Sequence, residues 1–204
     1  MSYKLYYFSA RGRGEQIRLL CRALQVPLDD VRVKPDKFLE FKAQGPSMLF
    51  FGSLPMLEDG DFRLPQGPVI MSYIARQHGA VPDDPRLSAK IEAINWGAED
   101  LRSRYFTLFG QDSAAKQVEF TSGDWKQRWL TSFDGLLEMN GDTGYFVGDR
   151  LTHADIAVWD ALDAVLSYVP SASLDGFSRL QAFYDSVRTI PSIEAYLNSD
   201  QRPQ

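Results

Sequence analysis

The residues of this chain with the right type and spacing for chemistry would hold an anion and tune a proton. In RLPQGPVIMSYIAR (Arg63 to Arg76), Gly67-Pro68 stands where an extended run turns helical. Val69, Ile70, Tyr73 and Ile74 recur at helical spacing, and Pro68 suits a first helical position. Gly67 then falls at the N-cap, where serine, threonine or aspartate would be the stronger choice. A helix N-terminus beside polar Gln66 is a site for an anion, because its backbone N–H groups and its dipole both favour negative charge. Tyr7 is the second candidate. It closes a strand-like run just ahead of a polar loop (Ser9 to Gly14) bearing Arg11 and Arg13, where its hydroxyl could donate to a ligand atom above the strand end. The commoner role for such a tyrosine is a core ring with a satisfied hydroxyl, and the commoner role for Gln66 is a plain turn residue. Leu54-Pro55 precedes a strand. Proline is allowed at a strand's first position, and a cis bond there would leave the preceding backbone groups open to a ligand.

What is missing narrows the field. Two histidines, His78 and His153, argue against a Ser-His-Asp triad and against a metal centre. GRGEQ lacks the GxGxxG spacing of a dinucleotide site. Cys21 is the single cysteine, so no internal disulfide forms; it shares a helical face with Ile17, Leu20 and Leu24 and reads as a packed core thiol. A net charge of -5, with no basic patch interleaved with aromatics, argues against a nucleic-acid partner. No apolar run approaches a membrane span, so no membrane partner is expected. MSYKLYYF lacks a basic stretch followed by an apolar one, which leaves the cytoplasm as the expected compartment.

Two different grammars position these residues. Through residue 78 the chain alternates strand and helix signals: the strand YKLYYF (Tyr3 to Phe8), the amphipathic helix GRGEQIRLLCRAL, then a turn and second strand in VPLDDVRV. An irregular stretch punctuated by proline and glycine follows. LPMLED and DFRL then flank Asp59-Gly60, a strong hairpin signal, and the helix opened by Gly67-Pro68 completes a small mixed α/β domain. Residues 79–87 read as a linker, rich in proline and aspartate. From 88 to 204 no strand is expected. Ile91, Ile94, Leu101, Tyr105 and Leu108 mark one helix, Trp125, Trp129, Phe133 and Leu136 a second, and Ile156, Trp159 and Val165 a third. The third opens on LTHAD, where Thr152 and Asp155 have capping-box spacing, so His153 is expected at the surface or in a supporting role.

YYFSARGRGEQIRLL, LPMLEDGD, LPQGPVIMSYIARQHG, WGAEDLRSRY and YFVGDRLTHADIAVWD, in that order, resemble the cytosolic glutathione transferases, particularly the tyrosine-type pi and sigma classes. The resemblance spans nearly the whole chain. It implies a thioredoxin-like N-terminal domain, a helical C-terminal domain forming the electrophile pocket, and a homodimer that uses glutathione as co-substrate and no metal. Tyr7 takes the place of the catalytic tyrosine, which raises the thiolate fraction of glutathione by hydrogen bonding to sulfur; strand alternation turns Tyr6 to the opposite face. Leu54, between Ser53 and Pro55, would pair its backbone with the cysteinyl part. Gln66 and Gly67 would hold the γ-glutamyl carboxylate, and Asp100 would reach the γ-glutamyl amine in the partner subunit. Arg13 would support the site electrostatically, while Phe38 and Lys42 stand for the tryptophan and lysine that clasp the glycyl carboxylate. The family usually reads Gln-Ser where this chain has Gln66-Gly67, so one hydrogen bond to a charged group is lost, roughly 1.5–3 kcal/mol. Gly67→Ser is then expected to tighten binding. Gly110 stands where pi-class members carry a second aromatic hydroxyl, so electrophile preference should differ. Phe51 stands where related classes project an aromatic key into the neighbouring subunit. The activity implied is attack of glutathione on hydrophobic electrophiles; a glutathione-dependent isomerase or peroxidase, or a non-catalytic binding protein on the same fold, are the alternatives.

Overall fold

Alternation along β1 (Tyr3–Tyr7) buries Tyr3, Leu5 and Tyr7 on one face, as the period of two in a strand requires. The computed structural model describes residues 2–203. α1 (Gly12–Ala23) crosses over to β2 (Leu28–Arg32), which lies parallel to β1 with Tyr7 opposite Arg32. On the other side of β1, β3 (Met56–Asp59) runs antiparallel with Met56 opposite Tyr6, and it turns through Gly60 into β4 (Phe62–Pro65). Gly60 has φ +63°, the conformation that turn needs and glycine adopts freely. The sheet order is β2-β1-β3-β4.

α1 packs on α3 (Gly67–Gln77). Ile17, Leu20, Ile70 and Ile74 are fully buried, each contributing about 1.5–3 kcal/mol of apolar burial. Cys21 lies among the buried residues of α1, and burial pushes its thiol up to about 12, so it is inert as a nucleophile. A second core cluster comprises Val33, Phe41, Met48, Leu49 and Met56, with Tyr6, Phe38 and Leu54 packed against it. Phe41 belongs to α2 (Pro35–Ala43), a helix within the stretch expected to be irregular. Phe41 is its one buried residue, too thin a stripe to register as periodicity.

The chain divides into two compact units, residues 1–79 together with 190–204, and residues 80–189. The second unit is helical: α4 (Pro85–Phe106), α5 (Ser113–Ser122), a π-helical turn (Trp125–Leu130) running into α6 (Thr131–Met139), α7 (His153–Tyr168) and α8 (Ser178–Arg188). Its described residues contain no strand. α4 takes in residues expected to be linker, because Pro85 suits a first turn and the Asp84 carboxylate accepts the Arg86 N–H at 2.7 Å. α4 and α7 pack side by side, joined by buried Arg102 donating to Asp160 at 2.7 Å.

The Thr152–Asp155 capping box forms, and Asp155 also accepts the Phe146 N–H at 2.8 Å; burial raises its carboxyl despite these bonds. His153 does not lie at the surface. It is fully buried, with Nε2 3.5 Å from the Glu92 carboxylate of α4, because the first turn of α7 faces inward. The last segment also departs from the expected 88–204 domain. α9 (Pro191–Leu197) and the tail group with the first unit, where Tyr196 and Arg202 meet Glu15 of α1. No helix of the described residues is long and apolar enough to cross a membrane.

Candidate active site

Tyr7 ends β1 nearly buried, and its hydroxyl oxygen accepts the Arg13 backbone N–H at 2.9 Å. An oxygen polarised in this way is a better donor of its own proton, and that proton remains for a ligand. The GRG triplet exists to seat this ring. A Cβ at Gly12 would stand 2.5 Å from the Tyr7 hydroxyl oxygen, and one at Gly14 would stand 2.5 Å from its Cδ1. Buried Arg18 lies over the same ring, 5.8 Å from its centroid. Arg18 also donates to Asp30 at 2.9 Å, to Glu15 at 3.2 Å, and to the carbonyls of Phe8 and Ala10, which pins the loop after the strand. Tyr6 points the other way, edge-on to Phe41 at 5.8 Å, and burial with nearby Glu58 raises its phenol. Of the two adjacent tyrosines, only Tyr7 has the backbone donor.

The Leu54-Pro55 bond is cis. Pro55 is buried and Leu54 packs on the second core cluster, while Ser53 is exposed. Lys42 lies along the segment leading to them, its Cε 3.5 Å from where a Cβ on Gly52 would sit. Phe38 packs edge-on to Phe8 at 5.3 Å, directly after Tyr7. Both residues of α2 therefore adjoin a segment that carries a candidate residue.

At the start of α3 the boundary moves by one residue. The Gln66 carbonyl accepts the Ile70 N–H at 2.9 Å, which makes Gln66 the N-cap and Gly67 the first helical residue. Gln66 is exposed and has φ +74° and ψ 110°. Such a conformation costs a side-chain-bearing residue about 1–3 kcal/mol, and strain of this kind clusters at ligand sites. Gly67 is buried, and a Cβ there would come within 2.8 Å of Gln16 Nε2 and 3.5 Å of the Arg13 carbonyl oxygen. Gln16 Nε2, the end of a flexible side chain, would therefore have to shift to admit a serine at Gly67. One turn of α1, Arg13 to Gln16, thus touches both Tyr7 and the first turn of α3. Arg13 gives its backbone N–H to the Tyr7 hydroxyl.

Gln16, Arg18 and Glu15 were not expected at the site. They are polar residues that hydrophobic periodicity assigns to solvent, yet each is at most 2% exposed. Their only signal was a run of polar residues in the first turns of a helix with an apolar stripe. In the second unit, Asp100 is exposed on α4, and Gly110 follows that helix with φ +88° and no hydroxyl to offer. Phe51 is 69% exposed and Phe50 47%.

A mixed sheet with crossover helix, closing hairpin and final helix, followed by a helical unit, is a thioredoxin-like domain joined to a helical domain. Residues 3–76 match the glutathione S-transferase N-terminal domain and residues 99–200 the C-terminal domain of the same enzymes. Glutathione S-transferase P 1 of Bufo bufo is 31% identical over 205 residues, covering 97% of this chain and 92% of that protein. Among solved structures, the pi-class glutathione S-transferase of Onchocerca volvulus superposes with a TM-score of 0.85 at 28% identity, covering 97% of this chain and 92% of the other. The prostaglandin synthase D of Nilaparvata lugens superposes with a TM-score of 0.80 at 25% identity, covering 98% of each chain. This chain belongs to the glutathione S-transferase family.

Proposed function

We propose that this protein is a tyrosine-type glutathione transferase, in which Tyr7 activates the glutathione thiol for attack on hydrophobic electrophiles. The observation that carries the reading is the Tyr7 hydroxyl, held by the Arg13 N–H beside the strained opening of α3. Gln66 and the free N–H groups that begin α3 receive the γ-glutamyl carboxylate. The Leu54 backbone pairs with the cysteinyl unit, with Ser53 and Pro55 on either side, and Lys42 with Phe38 serves the glycyl carboxylate. Glutathione supplies the thiol. A free thiol has a pKa near 8.5, so only a few per cent is thiolate at pH 7, and each unit of lowering raises that fraction roughly tenfold until ionisation is nearly complete. Tyr7 donates its hydroxyl hydrogen bond to the sulfur, favouring the anion, while the thiol proton leaves to solvent. A new carbon–sulfur bond then forms at the electrophile, and the displaced electron pair leaves with the leaving group or is protonated after addition.

Asp100, exposed on α4, reaches the γ-glutamyl amine bound to the other subunit of a homodimer, with Phe51 as the aromatic anchor between subunits. The compartment is the cytoplasm. Resemblance to the prostaglandin synthase D of Nilaparvata lugens favours a second reading, in which the same thiolate drives an isomerisation. Retention on immobilised glutathione, followed by conjugation of a generic aromatic electrophile and by a prostaglandin isomerisation assay, tests these readings. Retention with turnover supports the enzyme, and the active assay assigns the reaction. Retention without either activity would mark a binding protein, and no retention would overturn the assignment.

A further inference from the structure

The turn that seats Tyr7 is poorly held by its own sequence. Gly12 and Gly14 flank Arg13, and glycine leaves the backbone with more freedom than any other residue. Gly12 sits at φ +42°, and the N-cap of α1, Arg11, makes no side-chain capping bond. Yet the Arg13 N–H must stay within 2.9 Å of the Tyr7 oxygen. Arg18 ties down the carbonyls of Phe8 and Ala10 ahead of the triplet, and the C-terminal segment adds a second set of ties at the triplet itself. Arg202 Nε donates to Glu15 Oε1 at 2.9 Å, and the Tyr196 hydroxyl donates to Glu15 Oε2 at 3.1 Å. Arg11 Nε donates to the Pro203 carbonyl at 3.2 Å. Arg11 and Glu15 bracket the Gly12-Arg13-Gly14 triplet, and the Glu15 N–H closes on the Arg11 carbonyl at 3.0 Å.

Glu15 is fully buried, so this contact is not a loose surface pair. Its carboxylate faces Arg18 at 3.2 Å and Arg202 at 2.9 Å, and charge-assisted bonds of this kind fix geometry strongly.

We infer that the C-terminal segment is a latch on the active site, in which Arg202 and Tyr196, acting through Glu15, position the α1 turn that holds the Tyr7 hydroxyl. They are positioning residues and need not touch substrate. The inference rests on the reading of Tyr7 as the group that activates the thiol.

The test compares Arg202→Ala, Arg202→Lys and Tyr196→Phe in the full chain. It follows the thiolate absorbance of bound glutathione against pH, turnover, affinity for S-methylglutathione, and the thermal midpoint. Arg202→Ala is expected to raise the apparent pKa of the bound thiol by about half a unit to one unit, and so to lower turnover roughly three- to tenfold at a pH below that of the bound thiol's midpoint, and less at higher pH. S-methylglutathione has no thiol to ionise, and its affinity should hold. Arg202→Lys should recover most of the effect. Tyr196→Phe, which removes only one hydroxyl, should shift the pKa in the same direction and carries the test if Arg202→Ala fails to fold. In a Tyr7→Phe background neither change should move the thiol pKa further.

A folded Arg202→Ala protein with an unmoved thiol pKa would overturn the latch while leaving the role of Tyr7 intact, as would an equal shift in the Tyr7→Phe background. A thiol pKa insensitive to Tyr7→Phe itself would overturn both.

Discussion

Two glycines, Gly14 and Gly67, decide which side chains fit around Tyr7 and the opening of α3. Helix propensity favours Gly14→Ala by about 1 kcal/mol, but the added methyl would meet the Tyr7 ring at 2.5 Å. The ring cannot yield without losing its place. Overpacking of this kind costs about 1–3 kcal/mol, and a displacement near 1 Å in a catalytic group costs up to about a hundredfold in rate. Gly14→Ala should therefore be less stable by thermal melt and slower by roughly tenfold to a hundredfold in steady-state kinetics. A variant that melts higher and turns over normally would contradict the seat proposed for Tyr7. Gly67 carries the opposite lesson. Sequence alone argues that Gly67→Ser tightens glutathione binding by one hydrogen bond, but Gln16 Nε2 occupies the adjoining space. The single substitution should gain less in calorimetric titration than one full hydrogen bond, because Gln16 must move to admit it. With Gln16→Ala opening the space, the same serine should raise affinity about tenfold relative to Gln16→Ala alone.

At the scale of elements, legibility followed the length and regularity of the apolar stripe. The Asp59-Gly60 hairpin, α1, α3 and the capping box of α7 were readable because turn chemistry or a long stripe announced them. α2 escaped because Phe41 is its one buried residue, and α8 because Leu180, Phe183 and Val187 make a short stripe. The site was half legible for a different reason. Tyr7, Leu54 and Gln66 sit at element ends that local signals mark. Glu15 and Arg18 pair with each other one turn apart, but their further partners, Asp30, Tyr196 and Arg202, lie beyond the helix, and no local pattern encodes that pairing. The capping box gives a test at this scale. Asp155→Ala strands the buried donors of Phe146 and Thr152, each worth about 1–3 kcal/mol when unsatisfied. Denaturant unfolding should show a loss of about 2–4 kcal/mol, and a loss below about 0.5 kcal/mol would mean that water replaces the carboxylate.

At the scale of the whole molecule, exposed Phe51 and Phe50 call for a partner, since large apolar side chains side by side on a surface mark interaction sites. If Phe51 anchors the proposed homodimer, Phe51→Ser should weaken association by about 2 kcal/mol or more, roughly thirtyfold in the dimer constant. Because Asp100 is assigned to the other subunit's glutathione, binding should weaken with it. Sedimentation velocity beside a binding titration reads both effects, and a full dimer, or a monomer with undiminished affinity, would refute the coupling. The central claim is that Tyr7 ionises the bound thiol, and the titration of thiolate absorbance in the glutathione complex, wild type against Tyr7→Phe, addresses it most directly. The bound thiol should titrate well below its free value of about 8.5 in the wild type, return toward that value in Tyr7→Phe with affinity nearly unchanged, and stay put in Tyr6→Phe. A thiol that titrates alike in wild type and Tyr7→Phe, or that responds to Tyr6→Phe instead, would contradict that claim.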